Sequence, residues 1–204
     1  MLLEARDISF QYTKKGKQIL KNVSLMVSEG ERVGLTGPSG YGKSTLASIL
    51  CGYELPTTGS VRIDGNPLQQ KGLCPVQLIY QHPEKAINPR WKMRQVLLEA
   101  NQLKEELLKK VGIEREWLSR YPRELSGGEL QRFCIARALS ESTRFLVADE
   151  ISTMLDVITA AQLWNFILEE AERRNLGMVV ISHNPALINR ICTKVVDLRE
   201  INQI

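Results

Sequence analysis

The 204-residue sequence contains no apolar run approaching the ~18 residues that a membrane-spanning helix requires. A role at a membrane would therefore need docking on something that spans it. Cysteine is scarce: Cys51, Cys74, Cys134 and Cys192 are scattered, and no two form a C-x-x-C pair. That excludes the spacing of a zinc site or a disulfide framework and leaves reduced, mostly buried thiols of a cytosolic protein as the expectation. Charge of one sign is lacking too. The 27 basic and 23 acidic residues leave a formal charge of +4, too weak for a nucleic-acid groove and better read as a solvated surface of mixed sign. No secretory signal is expected, because Met1-Leu2-Leu3 is followed at once by Glu4, Arg6 and Asp7. Internal repeats and low-complexity segments are absent. A chain of this length forms one domain, or one core with a subdomain, and buries about 70% of its unfolded surface.

What is present is organised around Gly37-Pro38-Ser39-Gly40-Tyr41-Gly42-Lys43-Ser44-Thr45, which fits the phosphate-binding pattern G-x-x-x-x-G-K-[ST]. Arg32 to Thr36 leads in as a strand, and Thr45 to Leu50 leads out at helical spacing. Glycines let backbone N–H groups turn towards a polyphosphate, and the helix start adds its dipole. Lys43 is placed to reach the outer phosphates, and the Ser44 hydroxyl to complete a Mg²⁺ shell. A glycine-rich turn with a stray lysine is the bland alternative; the flanking strand and helix argue against it.

The rest of the chain alternates short apolar strands with helices. Leu3 to Tyr12 and Ile19 to Val27 read as strands around a turn over 13–17, and 60–67 as a short strand and turn. Val76 to Tyr80 is a buried strand. Met93 to Val111 reads as one Leu-rich helix with Val96, Leu97, Ala100, Leu103, Leu107 and Leu108 on one face. A helical pattern from Glu129 to Leu139 precedes the apolar strand Phe145 to Ala148. Asp156 to Asn175 is a long helix stopped by Gly177, Met178 to Ile181 a further strand, and Lys194 to Leu198 the last. Such alternation implies a parallel sheet covered on both faces, with ligands at the strands' C-terminal ends.

Three further groups of residues fall where chemistry belongs. Asp149 and Glu150 end the strand at 145–148; an acid there holds Mg²⁺ opposite a phosphate loop, and its neighbour can deprotonate an attacking water. A surface Asp-Glu pair is the plainer reading. His183 ends the next strand, where it can hydrogen-bond a γ-phosphate or the water; a lone histidine is more often structural. Leu125-Ser126-Gly127-Gly128-Glu129 opens a helix with a hydroxyl and free N–H groups, a second anion-binding helix start. Either it binds a second anion, or it serves the nucleotide of another copy; an ordinary Ser N-cap is the third possibility.

The loop at 37–45, Gln81, Leu-Ser-Gly-Gly-Glu at 125–129, the strand ending Asp149-Glu150, Leu155-Asp156 and Ser182-His183 occur in that order. This arrangement resembles the ATP-binding subunit of ABC transporters over essentially the whole chain. The resemblance implies an α/β fold: a P-loop NTPase core with a mostly parallel sheet, an N-terminal antiparallel β subdomain and a small helical subdomain. It places core and β subdomain at 1–80 and 137–204, and the helical subdomain with the signature at 81–136. It further implies that Tyr12 stacks on adenine (as a bare residue it is equally a core aromatic) and that Gly37 to Thr45 is the Walker A loop. Gln81 then touches Mg²⁺ and water, and Asp149 is the Walker B acid. Glu150 is the general base, Asp156 crosses a dimer interface and His183 is the switch histidine. Ser126, Gly127 and Gly128 would contact ATP bound on a second subunit. The implied cofactors are ATP and Mg²⁺. The implied partners are a second ATPase subunit, identical or related, transmembrane permease subunits and, for an importer, an extracytoplasmic substrate-binding protein; nucleic acid is not among them. The implied location is peripheral, at the cytoplasmic face of the membrane.

Departures from the family pattern are Glu129, Ile151 and Asn184, none of which removes a reacting group. Gln81-His82-Pro83, Ile87-Asn88-Pro89-Arg90, Tyr121 to Leu125 and Ser152 to Asp156 are similar to the oligopeptide, dipeptide and nickel importer branch, although the sequence stops short of that branch's usual C-terminal extension. Two rivals are a soluble ABC ATPase of translation or repair and a non-catalytic ATP-binding partner. A single Walker A loop, a single signature and the short 81–126 interval argue against the first; intact Glu150 and His183 argue against the second.

Overall fold

The computed structural model describes residues 1–13, 16–68, 72–153 and 155–204. Lys14 and Lys15 of the expected turn over 13–17, and Met154 of the 152–156 stretch, lie outside the described residues. Two sheets form the scaffold. The first is antiparallel, in the order β2 (Leu20–Ser28), β1 (Leu2–Phe10), β4 (Thr58–Ile63), β5 (Asn66–Pro67). The second is parallel throughout, in the order β6 (Val76–Ile79), β7 (Phe145–Asp149), β8 (Gly177–Ile181), β3 (Arg32–Thr36), β9 (Lys194–Asp197).

Successive strand residues point to opposite faces, and the parallel sheet uses both. Phe145 and Val147 of β7, with Val179 and Ile181 of β8, join a core formed with the antiparallel sheet and α1 (Lys43–Leu50). Leu146, Ala148, Met178 and Val180 join a second core, with α2 (Met93–Glu99), α3 (Glu105–Val111), α4 (Gly127–Ala138), α5 (Val157–Arg174) and α6 (Pro185–Ile191). Every residue of β7 and β8 is buried, as expected for strands covered on both sides. Because β3, β7 and β8 are parallel neighbours in register, their C-terminal ends share one edge, and the phosphate loop, Glu150 and Ser182-His183 all emerge there.

Three expectations need correction. The single helix over 93–111 is two, α2 and α3. Asn101 adopts a left-handed φ of 53°, and Gln102 turns inward, 4% exposed, to donate to Leu139 O at 3.2 Å. The apolar spacing carries on through this break, so periodicity alone could not show it. The helix from 156 is ended by Asn175, left-handed at φ 53°, while Gly177 is already in β8, where a Cβ would strike the Phe145 ring at 2.5 Å. Finally, Leu198 is not the end of the last strand but the start of a short helix, α7 (Leu198–Ile201), capped by Asp197, whose Oδ1 accepts from Arg199 N. No described helix is long and apolar enough to cross a membrane. Burial raises all four thiols, Cys192 to about 11 and Cys134 to about 12, which leaves them protonated.

Candidate active site

The loop between β3 and α1 is built on glycine. Gly37, Gly40 and Gly42 all have positive φ, and Gly42, at φ 104°, is the N-cap of α1. A Cβ on Gly42 would lie 2.9 Å from Leu20 Cδ2 and 3.2 Å from Ile19 O, so both dihedral and space require glycine. Lys43 is 6% exposed and curls back over the loop, its Nζ donating to Gly37 O at 2.8 Å and Pro38 O at 2.9 Å. The cation is thus held where phosphates would sit, with two carbonyls standing in for anionic oxygens.

The ends of β7 and β8 bring acid and histidine to the same place. Glu150 has a left-handed φ of 50°, strained for a non-glycine residue, and its N–H donates to Ile181 O at 3.0 Å. Its carboxylate faces two partners: Oε2 accepts from Gln81 Nε2 at 3.2 Å, and Oε1 lies 3.0 Å from His183 Nε2. His183 Nε2 is also 3.5 Å from Ser39 Oγ, which links this group to the phosphate loop. Asp149 is 5% exposed. Burial, with Glu150 beside it, holds its carboxyl above the usual carboxylate range, while the Ser44 hydroxyl and Lys43 pull the other way. Its Oδ1 is buried and has no hydrogen-bond partner among the described residues. A desolvated carboxylate oxygen left without a donor, near a serine hydroxyl and a phosphate loop, suits a hard divalent cation such as Mg²⁺.

Half of the residues singled out in the sequence line one cavity of about 310 Å³. The loop residues Ser39, Gly40, Gly42, Lys43, Ser44 and Thr45 make one part of it, Glu150 and His183 another. Tyr12 closes it: 64% exposed, its hydroxyl lies 3.0 Å from Thr45 Oγ1 and its ring stands edge-on to Phe10 at 4.9 Å. Tyr12 is thus a surface side chain beside the phosphate loop and not a core aromatic. Ile19 also lines the cavity. No sequence signal marks it, because its position depends on how the antiparallel sheet crosses α1. A larger cavity, about 1020 Å³, lies between the end of α1 and the helical elements, near Tyr53, Leu55, Cys74 and Arg137. Among the described residues it has no phosphate cradle and no acid–histidine pair, so size does not locate the chemistry.

Gly37, Pro38, Tyr41, Gln81 and Asp149 stand behind the lining of the smaller cavity, Gly37 and Pro38 bonded to Lys43 and Gln81 to Glu150. Among the described residues, Ser126, Gly127, Gly128 and Asp156 neither line that cavity nor bond to a residue that does. Ser126 caps α4 through a reciprocal box: its Oγ accepts from Glu129 N at 3.3 Å, and Glu129 Oε2 accepts from its N–H at 2.8 Å. Glu129 is therefore useful here in its own right. Asp156 caps α5, its Oδ1 accepting from Ile158 N and Thr159 N. The two caps are neighbours, since a Cβ on Gly128 would touch Leu155 Cδ2 at 3.1 Å.

The sequence profile described as "ABC transporter" matches residues 20–153. The chain belongs to the ABC transporter family. It is similar to the nickel import ATP-binding protein NikE of Escherichia coli O6:K15:H31, 34% identical over 95% of this chain and 82% of that one. A putative oligopeptide transport ATP-binding protein, YkfD of Bacillus subtilis, is also 34% identical, over 95% of this chain and 66% of its own length. Among solved structures, the dimeric ATP-binding cassette MJ0796, bound to ADP and Pi in a post-hydrolysis state, superposes with a TM-score of 0.80 at 25% identity, over 96% of this chain and 93% of that one. As an ABC ATPase, the chain binds and hydrolyses ATP, and the parallel core with its antiparallel sheet is the fold of that family.

Proposed function

We propose that this chain is the ATPase subunit of an importer for peptides or for nickel or other metal complexes, and that it works as an ATP-closed pair. The observation that carries the pairing is the incomplete site: cradle, Glu150 and His183 share one cavity, while the Ser126 helix start lies outside it. In this reading Gly37 to Thr45 bind the phosphates, Lys43 grips the outer ones and Tyr12 stacks on adenine. Ser44, Asp149 and Gln81 hold Mg²⁺, which when bound neutralises charge on the phosphoryl oxygens. Glu150 accepts the proton of the attacking water, oriented by Gln81 and His183. Ser126, Gly127 and Gly128 of a second subunit complete the site with a hydroxyl and free amides, and Asp156 lies at the same interface. The partner is a second copy or a related ATPase.

The unit divides into a nucleotide-binding core with its β subdomain (1–80 and 137–204) and a helical subdomain (81–136). Gln81, at the junction, relays closure to transmembrane permease subunits at the cytoplasmic face of the membrane, where the chain is peripheral. An extracytoplasmic substrate-binding protein supplies the cargo. Moving the closed fraction from 1% to 99% takes about 5.5 kcal/mol of differential ATP binding, which hydrolysis removes. Likeness to NikE and YkfD supports the cargo class. Because each site needs two chains, ATP turnover per subunit should fall as the protein is diluted below its pairing constant. Turnover per subunit that stays constant to high dilution would overturn the half-site reading.

A further inference from the structure

The C-terminal helix α7 packs on the phosphate loop at its start and on the residues leading into β2 just past its end, where one buried amide side chain makes two of the bonds. At its start, fully buried Leu198 abuts the phosphate loop: a Cβ on Gly37 would lie 3.5 Å from Leu198 Cβ. At its end stands Asn202, 4% exposed, its own N–H returning to Leu198 O at 2.9 Å. The Asn202 side chain reaches across the sequence to the beginning of β2. Its Oδ1 accepts from Lys21 N at 2.8 Å, and its Nδ2 donates to Ile19 O at 3.1 Å. β2 is the outer strand of the antiparallel sheet, so these backbone groups face away from the ladder and need a partner from elsewhere. A carboxamide supplies one acceptor and one donor at this spacing; aspartate lacks the donor, and an aliphatic side chain lacks both.

What Asn202 holds matters for the site. Ile19 and Tyr12 are the cavity-lining side chains that offer apolar surface, the remainder being loop backbone, hydroxyls and charged or titratable groups. An apolar wall next to a phosphate cradle suits the base and ribose of a nucleotide. Ile19 is also packed against the start of α1, its Cγ2 3.1 Å from where a Gly42 Cβ would lie. Its backbone is held by its N–H to Phe10 O at 2.9 Å and by its carbonyl bond to Asn202, and its side chain is backed by Gly42.

We propose that Asn202 is a positioning residue for the nucleotide site, fixing Ile19 at the wall that receives the nucleoside of the bound nucleotide. The inference rests on the reading of this cavity as the nucleotide site. It is tested on the intact chain by calorimetry with two probes that share their phosphates, ADP and inorganic pyrophosphate. Asn202→Ala and Asn202→Asp should each raise the Kd for ADP about tenfold, and leave that for pyrophosphate within about twofold. Ile19→Ala should do the same, and the Asn202→Ala/Ile19→Ala double variant should lose no more than Ile19→Ala alone, because the two act in series. Gln203→Ala is the control. It removes an exposed bond from Asn22 Nδ2 but keeps the backbone bond from Gln203 N to Lys21 O, and should bind both probes as the parent does. Equal weakening towards ADP and pyrophosphate, or losses that add in the double variant, would make Asn202 a general brace and overturn the assignment. A parent protein that binds neither probe would instead overturn the cavity reading on which it rests.

Discussion

Glu150→Gln is expected to lower ATP turnover by about 10²- to 10⁴-fold, the range associated with removing a positioned general base, while leaving the affinity for ATP within a few-fold. The amide keeps the size and the left-handed backbone place of the carboxylate. Its oxygen can still accept from Gln81 Nε2, which now lies 3.2 Å from Glu150 Oε2, or from a protonated His183 nitrogen, now 3.0 Å from Oε1. The geometry of the site is therefore largely retained, and what is lost is the capacity to take a proton from water. Nothing in the substitution touches the phosphate loop, so ATP still binds and still favours the closed pair. Size-exclusion chromatography with ATP should accordingly show a dimer that persists, where the parent returns to monomer as it turns over. Steady-state turnover equal to the parent's would remove Glu150 from the base role and shift attention to His183, the other titratable group within hydrogen-bond reach of the same point.

The contrast between this site and the helical region shows what a sequence makes legible. Phosphate binding needs specific backbone dihedrals and a fixed order of donors over a few residues, so Gly37 to Thr45 announces itself locally. Asp149-Glu150 and His183 are legible for a different reason. Parallel strands end at one edge, and reading three strand ends is enough to bring residues more than a hundred positions apart into one site. The break at 100–104 could not be read, because Gln102 leaves the helix for a carbonyl at Leu139, a partner supplied by tertiary structure. Helix α7 and the placement of Ile19 escaped for the same reason: each depends on contacts between segments far apart in sequence, Leu198 against Gly37 and Asn202 against Ile19 and Lys21 among them. The roles of Ser126 and Asp156 are at the limit of what one chain can express. Within it both side chains are satisfied helix caps, and the further duty proposed for them belongs to a pair of chains.

Lys43→Ala should abolish measurable ATP binding in a calorimeter, and the reason can be weighed against the bland alternative that the loop merely collapses. Charge-assisted hydrogen bonds to a phosphate are each worth about 1.5–3 kcal/mol, a loss of roughly 10- to 150-fold per bond at 1.4 kcal/mol per decade. In the free protein the Nζ instead serves Gly37 O and Pro38 O. Truncation leaves those two carbonyls without that donor but also relieves the desolvation of an ammonium that is 6% exposed. The two effects on stability have opposite signs, whereas both the lost bonds and the lost charge act against phosphate binding. Affinity should therefore fall far more than the melting temperature does. Lys43→Arg should not restore it, because a planar guanidinium cannot occupy the space of a compact ammonium enclosed by the loop it closes. Near-parental affinity in Lys43→Ala would take the phosphate loop out of its central place. A melting temperature that collapses in step with affinity would show that the lysine's first task is to hold Gly37 and Pro38, with phosphate binding following from that order.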